Sequence, residues 1–263
     1  MLKRDTFKIN RMSRVYTEGS GEQYYVIYKN FLDTTHILIA GVTGSGKSVV
    51  INGMLSSVLR YSNPGMHRFL FIDPKQVELD AYSDLPLWNK GYADDIRSAV
   101  LLLKEASEEL DKRMAEVKRM RKREYQGYHL HIVIDEYADL TRNAEYPELR
   151  RDVERYISKI ARMGRAARIH LIIATQRSTA QVITGELKTN IDFRLCLRMS
   201  NAQESRNVLD TGGAELLPAH GVGLYKTPMG IQAVKIPMVT DEEIRRSVSW
   251  WVNYKQTGSI KRV

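Results

Sequence analysis

Residues 36–50 read HILIAGVTGSGKSVV: an apolar run, a glycine-rich turn, then the start of a second apolar stretch. HILIA has the length and composition of a buried strand, and from Ser48 to about Tyr61 the spacing predicts a helix. A strand feeding a helix through such a turn fits the pattern G-x-x-x-x-G-K-[ST], met here by Gly41, Gly46, Lys47 and Ser48. Glycines without Cβ let backbone N–H groups turn inward around phosphate oxygens. The helix start adds its positive dipole end. Gly41, Val42, Thr43, Gly44, Ser45, Gly46, Lys47, Ser48 and Val49 are therefore the candidate triphosphate cradle. Lys47 should reach the β- and γ-phosphates and Ser48 should ligate Mg²⁺. A glycine-rich turn with a chance lysine is the bland alternative, and the flanking strand and helix speak against it.

The remaining chain alternates strand-like and helix-like segments. FKINRMSRVY and YYVIYKN flank TEGSGE and predict a hairpin over 7–29. SNPG (62–65) should end the first helix by turn chemistry. RFLFID (68–73), HIVIDE (131–136), HLIIAT (170–175), FRLCLRM (193–199) and VGLYK (222–226) read as further strands. Leu102, Leu103, Ala106, Leu110, Met114, Val117 and Met120 predict one long helix from Ala93 to about Tyr125. TRNAEYPE (141–148) reads as a polar connection before a helix marked by Leu149, Val153, Tyr156, Ile157 and Ile160. Alternation of this kind predicts an α/β fold, a mostly parallel sheet covered by helices on both faces.

Charge and cysteine usage narrow the partners. Forty Lys and Arg against thirty-one Asp and Glu give a net charge of +9, which favours a polyanionic partner. The basic run KRMAEVKRMRKRE (112–124) is read as a solvated helix end. Cys196 is the single cysteine, so an intrachain disulfide is excluded and a reducing, cytoplasmic setting is expected. The longest apolar runs are strand-sized, far short of the ~20 residues that span a bilayer. MLKRDTFKIN lacks the apolar core of a signal peptide, so any membrane attachment is expected through a partner.

Hydrolysis needs carboxylates near the phosphates. HIVIDE ends a buried strand with Asp135 and Glu136, placing both at the sheet edge beside the phosphate loop. Asp135 would hold Mg²⁺ directly or through water, and Glu136 would orient or deprotonate the attacking water. An acidic helix start is the alternative for this pair. HLIIATQR supplies a third polar strand end, Thr175, Gln176 and Arg177, where a side chain could sense the γ-phosphate or merely make a turn.

Taken together, HILIAGVTGSGKSV, FLFIDPKQVEL, HIVIDEYADL, RAARIHLIIATQRS and ITGELKTNIDFRLCLRMSNAQESRNVLDTGGAELLPAHGVGLYK resemble the FtsK/SpoIIIE family of hexameric double-stranded DNA translocases. The resemblance runs over roughly residues 24 to 226, in the family's order. It implies a RecA-like P-loop ATPase at 31–240, preceded by a short β-hairpin segment at 1–30 and followed by a helical tail at 241–263. It implies ATP and Mg²⁺ at Lys47, Ser48, Asp135 and Glu136, with Gln176 as γ-phosphate sensor. In MGRAARIH, Arg165 matches the family's trans-acting arginine, with Arg162 and Arg168 nearby, so catalysis would require a homo-hexamer. Arg177 after A-T-Q and Lys188 in T-G-x-x-K-x-N would meet DNA phosphates in a central channel, which gives affinity without sequence preference. A further channel lysine of some relatives falls on Ala202, implying a thinner basic lining.

Cell-division members of the family carry membrane spans, a linker, an extra domain and a winged-helix domain that do not fit this chain. The expectation is a minimal motor like those of plasmids, conjugative elements and phages, or an excised part of a longer protein. A relaxase, a replication initiator or a membrane channel would then be its partner. Two other functions stay open: a type VII-like protein-secretion ATPase, and a DNA-bound adaptor recruiting an initiator.

Overall fold

The computed structural model describes residues 6–12, 24–30, 34–85, 87–191, 193–227 and 230–257. Ten strands form one sheet: β1 (Thr6–Met12), β2 (Tyr24–Asn30), β3 (His36–Ala40), β4 (His67–Ile72), β5 (Leu87–Ala93), β6 (His129–Ile134), β7 (Ile169–Thr175), β8 (Phe193–Cys196), β9 (Val222–Thr227) and β10 (Gly230–Lys235). Their spatial order is β2-β1-β10-β9-β8-β3-β7-β6-β4-β5. The run β8-β3-β7-β6-β4-β5 is parallel, and the four strands beyond β8 pair antiparallel.

Among the described residues seven α-helices accompany them: α1 (Lys47–Tyr61), α2 (Ile96–Arg119), α3 (Tyr137–Thr141), α4 (Pro147–Ala167), α5 (Gly185–Asn190), α6 (Ala202–Leu209) and α7 (Asp241–Thr257). The inner parallel strands β3, β4, β6 and β7 are buried on both faces, as continuous apolar runs require. Leu38, Leu70, Ile132 and Ile173 pack with Leu103, Leu110, Ile157 and Ile160 of α2 and α4. On the opposite face Ile37, Phe69, Val133 and Ile172 pack with Val50, Met54 and Leu55 of α1 and Trp251 of α7. The expected architecture, with helices on both faces, is the observed one.

Several boundaries differ from the sequence reading. The long helix predicted from Ala93 to Tyr125 is shorter at both ends. Its first residue, Ala93, ends β5 instead, which joins the sheet edge beside β4. Asp95 then caps α2, its carboxylate accepting from Ser98 N at 2.7 Å in a reciprocal capping box. The helix stops at Arg119, and Arg121 takes a left-handed φ of 53°. The strand expected over 193–199 ends at Cys196. The turn TEGSGE lies outside the described residues, while β1 and β2 on either side of it pair antiparallel. β5, β10, α3, α5 and α6 were not predicted. Their segments are short or, as in LWNKGYA, lack an apolar alternation.

Two buried polar features have structural roles. Arg113, within the basic run, is 1% exposed rather than solvated. It pairs with Glu109 at 2.8 Å and donates to the carbonyls of Tyr128 and Ala167, each at 3.0 Å, between the rings of Tyr125 and Tyr128. It therefore ties α2 to the loop before β6 and to the end of α4.

The second feature is a stack of imidazoles at the N-terminal ends of β4, β6 and β7. His67 Nδ1 meets His131 Nε2 at 2.8 Å, and His129 Nδ1 meets His170 Nε2 at 2.9 Å. His131 and His170 stack with ring centroids 4.9 Å apart. Trp251 of α7 lies edge-on to His67. His36 of β3 accepts from Leu171 N at 3.1 Å, and burial lowers its pKa to about 4. Burial holds His131 and His170 well below 6.5, helped by repulsion from neighbouring histidines.

Candidate active site

The phosphate loop spans the turn from β3 into α1. Gly44 and Gly46 adopt φ of 76° and 99°, a region that other residues enter only with strain. Gly41 has no room for a side chain: a Cβ there would lie 2.4 Å from Ser45 Oγ and 2.8 Å from Leu197 Cβ. The loop is anchored by Gly41 N to Thr175 O at 3.2 Å and Val42 N to Arg198 O at 2.9 Å. No side chain caps α1 and its first turn holds no acid, so the helix-start donors are available to an anion. Ser45 is buried, and its hydroxyl has no hydrogen-bond partner among the described residues. Lys47 is 6% exposed, and its ammonium donates to Asp135 O at 3.3 Å and Oδ1 at 3.4 Å. Such long contacts leave the charge under-satisfied. This donor set fits a polyphosphate.

The acid pair arrives on the next strand but one. Asp135 follows β6, fixed by its N–H to Ile72 O at 3.0 Å, and is 1% exposed. Burial raises its pKa, outweighing the nearby Lys47 ammonium. Asp135 Oδ2 accepts no hydrogen bond among the described residues, which suits a hard cation held together with Ser48.

Glu136 caps α3, accepting from Ala138 N at 3.3 Å. Its Oε1 accepts from Thr175 Oγ1 at 2.8 Å, and Gln176 N donates to Oε1 and Oε2 at 3.1 and 2.9 Å. Burial raises the Glu136 pKa, opposed by the Thr175 and Gln176 hydrogen bonds. Gln176 Oε1 accepts from Thr43 Oγ1 of the phosphate loop at 2.8 Å. Thus Lys47, Asp135, Glu136 and Gln176 converge at the C-terminal ends of β3, β6 and β7, the crevice expected of an open parallel sheet.

Beside Glu136 opens a cleft of about 460 Å³ lined by Lys75, Glu136, Asp139, Arg142, Gln176 and Arg177. Arg177 is exposed there. Arg165 stands apart, exposed in the last turn of α4 and without an ion pair among the described residues. Its neighbours are engaged: Arg162 with Glu186 at 3.8 Å, Arg168 with Glu124 at 2.6 Å and Gly127 O at 3.1 Å. Lys188 is also remote from the phosphate loop. It lies 2.8 Å from Asp210 Oδ1, a carboxylate shared with Arg194 at 2.9 Å and with Lys226. Ala202 opens α6 behind the Asn201 cap.

Sequence reasoning missed two contributors. Asp73 is fully buried, and its Oδ2 accepts from the backbone N–H of Val77, Glu78 and Leu79 at 3.1, 3.1 and 3.0 Å. It folds the loop that carries Lys75 to the cleft. The signal was an aspartate before proline at a strand end, a turn-former. His220 Nδ1 donates to Gly44 O, bracing the phosphate loop from the segment before β9. His220 lies in the family-like stretch ending AHGVGLYK, but nothing in that stretch signals a contact with Gly44, 176 positions away.

The FtsK/SpoIIIE family profile matches residues 6–132 and 120–180. A DNA translocase FtsK of Oceanobacillus iheyensis is 37% identical over 243 residues, covering 84% of this chain and 30% of the relative. One of Leptospira interrogans is 36% identical over 232 residues, covering 81% and 24%. The chain thus spans less than a third of the length of these relatives. Among solved structures, the pCW3 conjugation coupling protein TcpA with ATPγS superposes with a TM-score of 0.77 at 24% identity, over 94% of this chain and 70% of that one. EssC ATPases 2 and 3 of Geobacillus thermodenitrificans give 0.76 at 18%, over 96% and 49%. Both likenesses show the fold. Among the described residues no helix is long and apolar enough to cross a membrane. Matched along most of its length by sequence, and carrying the phosphate loop and acid pair in place, the chain belongs to the FtsK/SpoIIIE family and is a P-loop ATPase.

Proposed function

We propose that this chain is the motor of an ATP-driven translocase on double-stranded DNA, working as a homo-hexamer in the cytoplasm. The observation that carries the reading is the meeting of Lys47, Asp135 and Glu136 in one crevice, with exposed Arg177 one residue beyond Gln176. Lys47 and the loop N–H groups bind the β- and γ-phosphates. Ser48 and Asp135 would hold Mg²⁺, which supplies charge neutralisation on the phosphates. Glu136 accepts the proton of the attacking water, and Gln176, tied to Thr43, reads the γ-phosphate position. Arg165, exposed and unengaged, completes a neighbouring subunit's site. Residues 31–240 form the motor proper, flanked by the 1–30 segment and the 241–263 tail.

DNA contact belongs to Arg177 and Lys188, supported by the +9 charge. Because Lys188 shares Asp210 with two other cations, it reaches a phosphate only by loosening that ion pair. The test is ATP turnover with and without linear duplex over a salt series. Turnover should rise several-fold with duplex, and log stimulation should fall linearly with log salt. A rate indifferent to DNA at low salt overturns the proposal. With Glu136 raised by burial, the acidic limb of the pH–rate profile should lie above the ordinary glutamate range.

A further inference from the structure

The crevice contains a hydroxyl to which no role has been given. Thr175 ends β7 and is fully buried. Its Oγ1 lies 2.8 Å from Glu136 Oε1 and 2.9 Å from the carbonyl of Arg177, and accepts from Arg177 N at 3.2 Å. A hydroxyl carries one hydrogen. It can be given fully to the glutamate or to the Arg177 carbonyl, but not to both.

The consequence for Glu136 is direct. In this structure its Oε1 faces three donors, Thr175 Oγ1, Gln176 N and Ala138 N, and its Oε2 faces Gln176 N. Hydrogen bonds to a carboxylate lower its basicity and fix its direction. Three of these four contacts come from residues 175 and 176, so the glutamate is held against the end of β7. The same two residues precede Arg177, an exposed cation of the cleft, and Gln176 is bonded to Thr43 of the phosphate loop.

We propose that Thr175 is a positioning residue that couples DNA to hydrolysis: it restrains Glu136 until displacement of the Arg177 backbone draws the Thr175 hydroxyl and the Gln176 amide away. Resting on the reading of Glu136 as the base and Arg177 as a DNA contact, it specifies how that site is regulated. A phosphate pulling on Arg177 moves its N–H and C=O, the two groups that hold the Thr175 hydroxyl from the other side. The hydroxyl follows them, the glutamate loses its donors, and a lone pair becomes available to water. Without DNA the restraint persists and turnover stays low.

Thr175→Val keeps the shape and removes both the donor and the acceptor. With it, turnover without DNA should rise several-fold at unchanged KM for ATP, and the ratio of DNA-stimulated to basal rate should fall toward one. Thr175→Ser, which keeps the hydroxyl, should restore the wild-type ratio. Equal scaling of both rates in Thr175→Val, or an unchanged ratio, overturns the coupling while leaving the ATPase reading intact. If Thr175→Val does not fold, amide exchange of Gln176 in the wild-type protein decides. Exchange should quicken when duplex is added with a non-hydrolysable nucleotide, and unchanged protection overturns the proposal. Loss of the underlying reading has a separate signature, a Glu136→Gln variant that still hydrolyses ATP at the wild-type rate.

Discussion

Replacing Arg165 with alanine is expected to lower ATP turnover by roughly 10³–10⁵-fold, the range associated with an arginine supplied to a transferring phosphoryl group. The position supports so large an effect. Arg165 projects from the last turn of α4 without an acidic partner among the described residues, whereas Arg162 and Arg168 are held by Glu186 and Glu124. Removing Arg165 breaks no ion pair among the described residues, so the melting temperature should stay near the wild-type value. ATP affinity at the variant's own phosphate loop should also persist. The decisive measurement is mixing. Arg165→Ala retains a complete phosphate loop and Lys47→Ala retains the arginine, so mixed rings contain some interfaces with both. Turnover should reappear when the two inactive variants are combined. No recovery over a range of ratios would show that the arginine does not act across subunits.

Glu136→Gln is expected to cost on the order of 10²–10⁴-fold in kcat, the contribution of a positioned general base. The glutamine oxygen can still accept from Gln176 N and Thr175 Oγ1, so the crevice should keep its geometry. Nucleotide binding rests on Lys47 and the loop amides and should survive, leaving KM for ATP little changed. Lys47→Ala should do the opposite and weaken binding itself. It also leaves Asp135 buried without its cation, a strongly destabilising arrangement. A Glu136→Gln protein with raised KM and unaltered kcat would place Glu136 in binding rather than in proton transfer.

The parts of this site that were legible in the sequence are those whose chemistry is local. HILIA followed by Gly-rich GVTGSGKS shows its strand, turn and helix within a few residues, because backbone phosphate binding needs glycines at fixed offsets. HIVIDE shows its acids at a strand end for the same reason. What stayed hidden depends on contacts far apart in the chain. His220 meets Gly44 across 176 positions, and Arg113 meets Ala167 across 54. Nothing in KRMAEVKR separates the one arginine that enters the interior from its solvated neighbours. β5 went unrecognised because LWNKGYA sits at a sheet edge, where burial imposes no alternation. Lys188 is expected to meet DNA phosphates, but its pairing with Asp210 could not be read from either residue.

The histidine stack beneath the nucleotide crevice has a bearing on where such a motor can survive. His36, His131 and His170, kept neutral by burial, have folded pKa values below that of the unfolded chain, 6.5, with His36 near 4. Their contribution is intact above pH 6.5 and drains away as the solution acidifies toward the folded values, since the unfolded chain takes up protons first. Side-chain carboxylates ordinarily titrate lower, so the sheet should loosen in mild acid before most of them are neutralised. Melting temperature should slide between pH 7 and pH 5; a flat profile there would mean that the imidazoles titrate inside the fold as they do in the unfolded chain. An enzyme assembled around such a seam is suited to neutral surroundings and has a built-in intolerance of acidified ones.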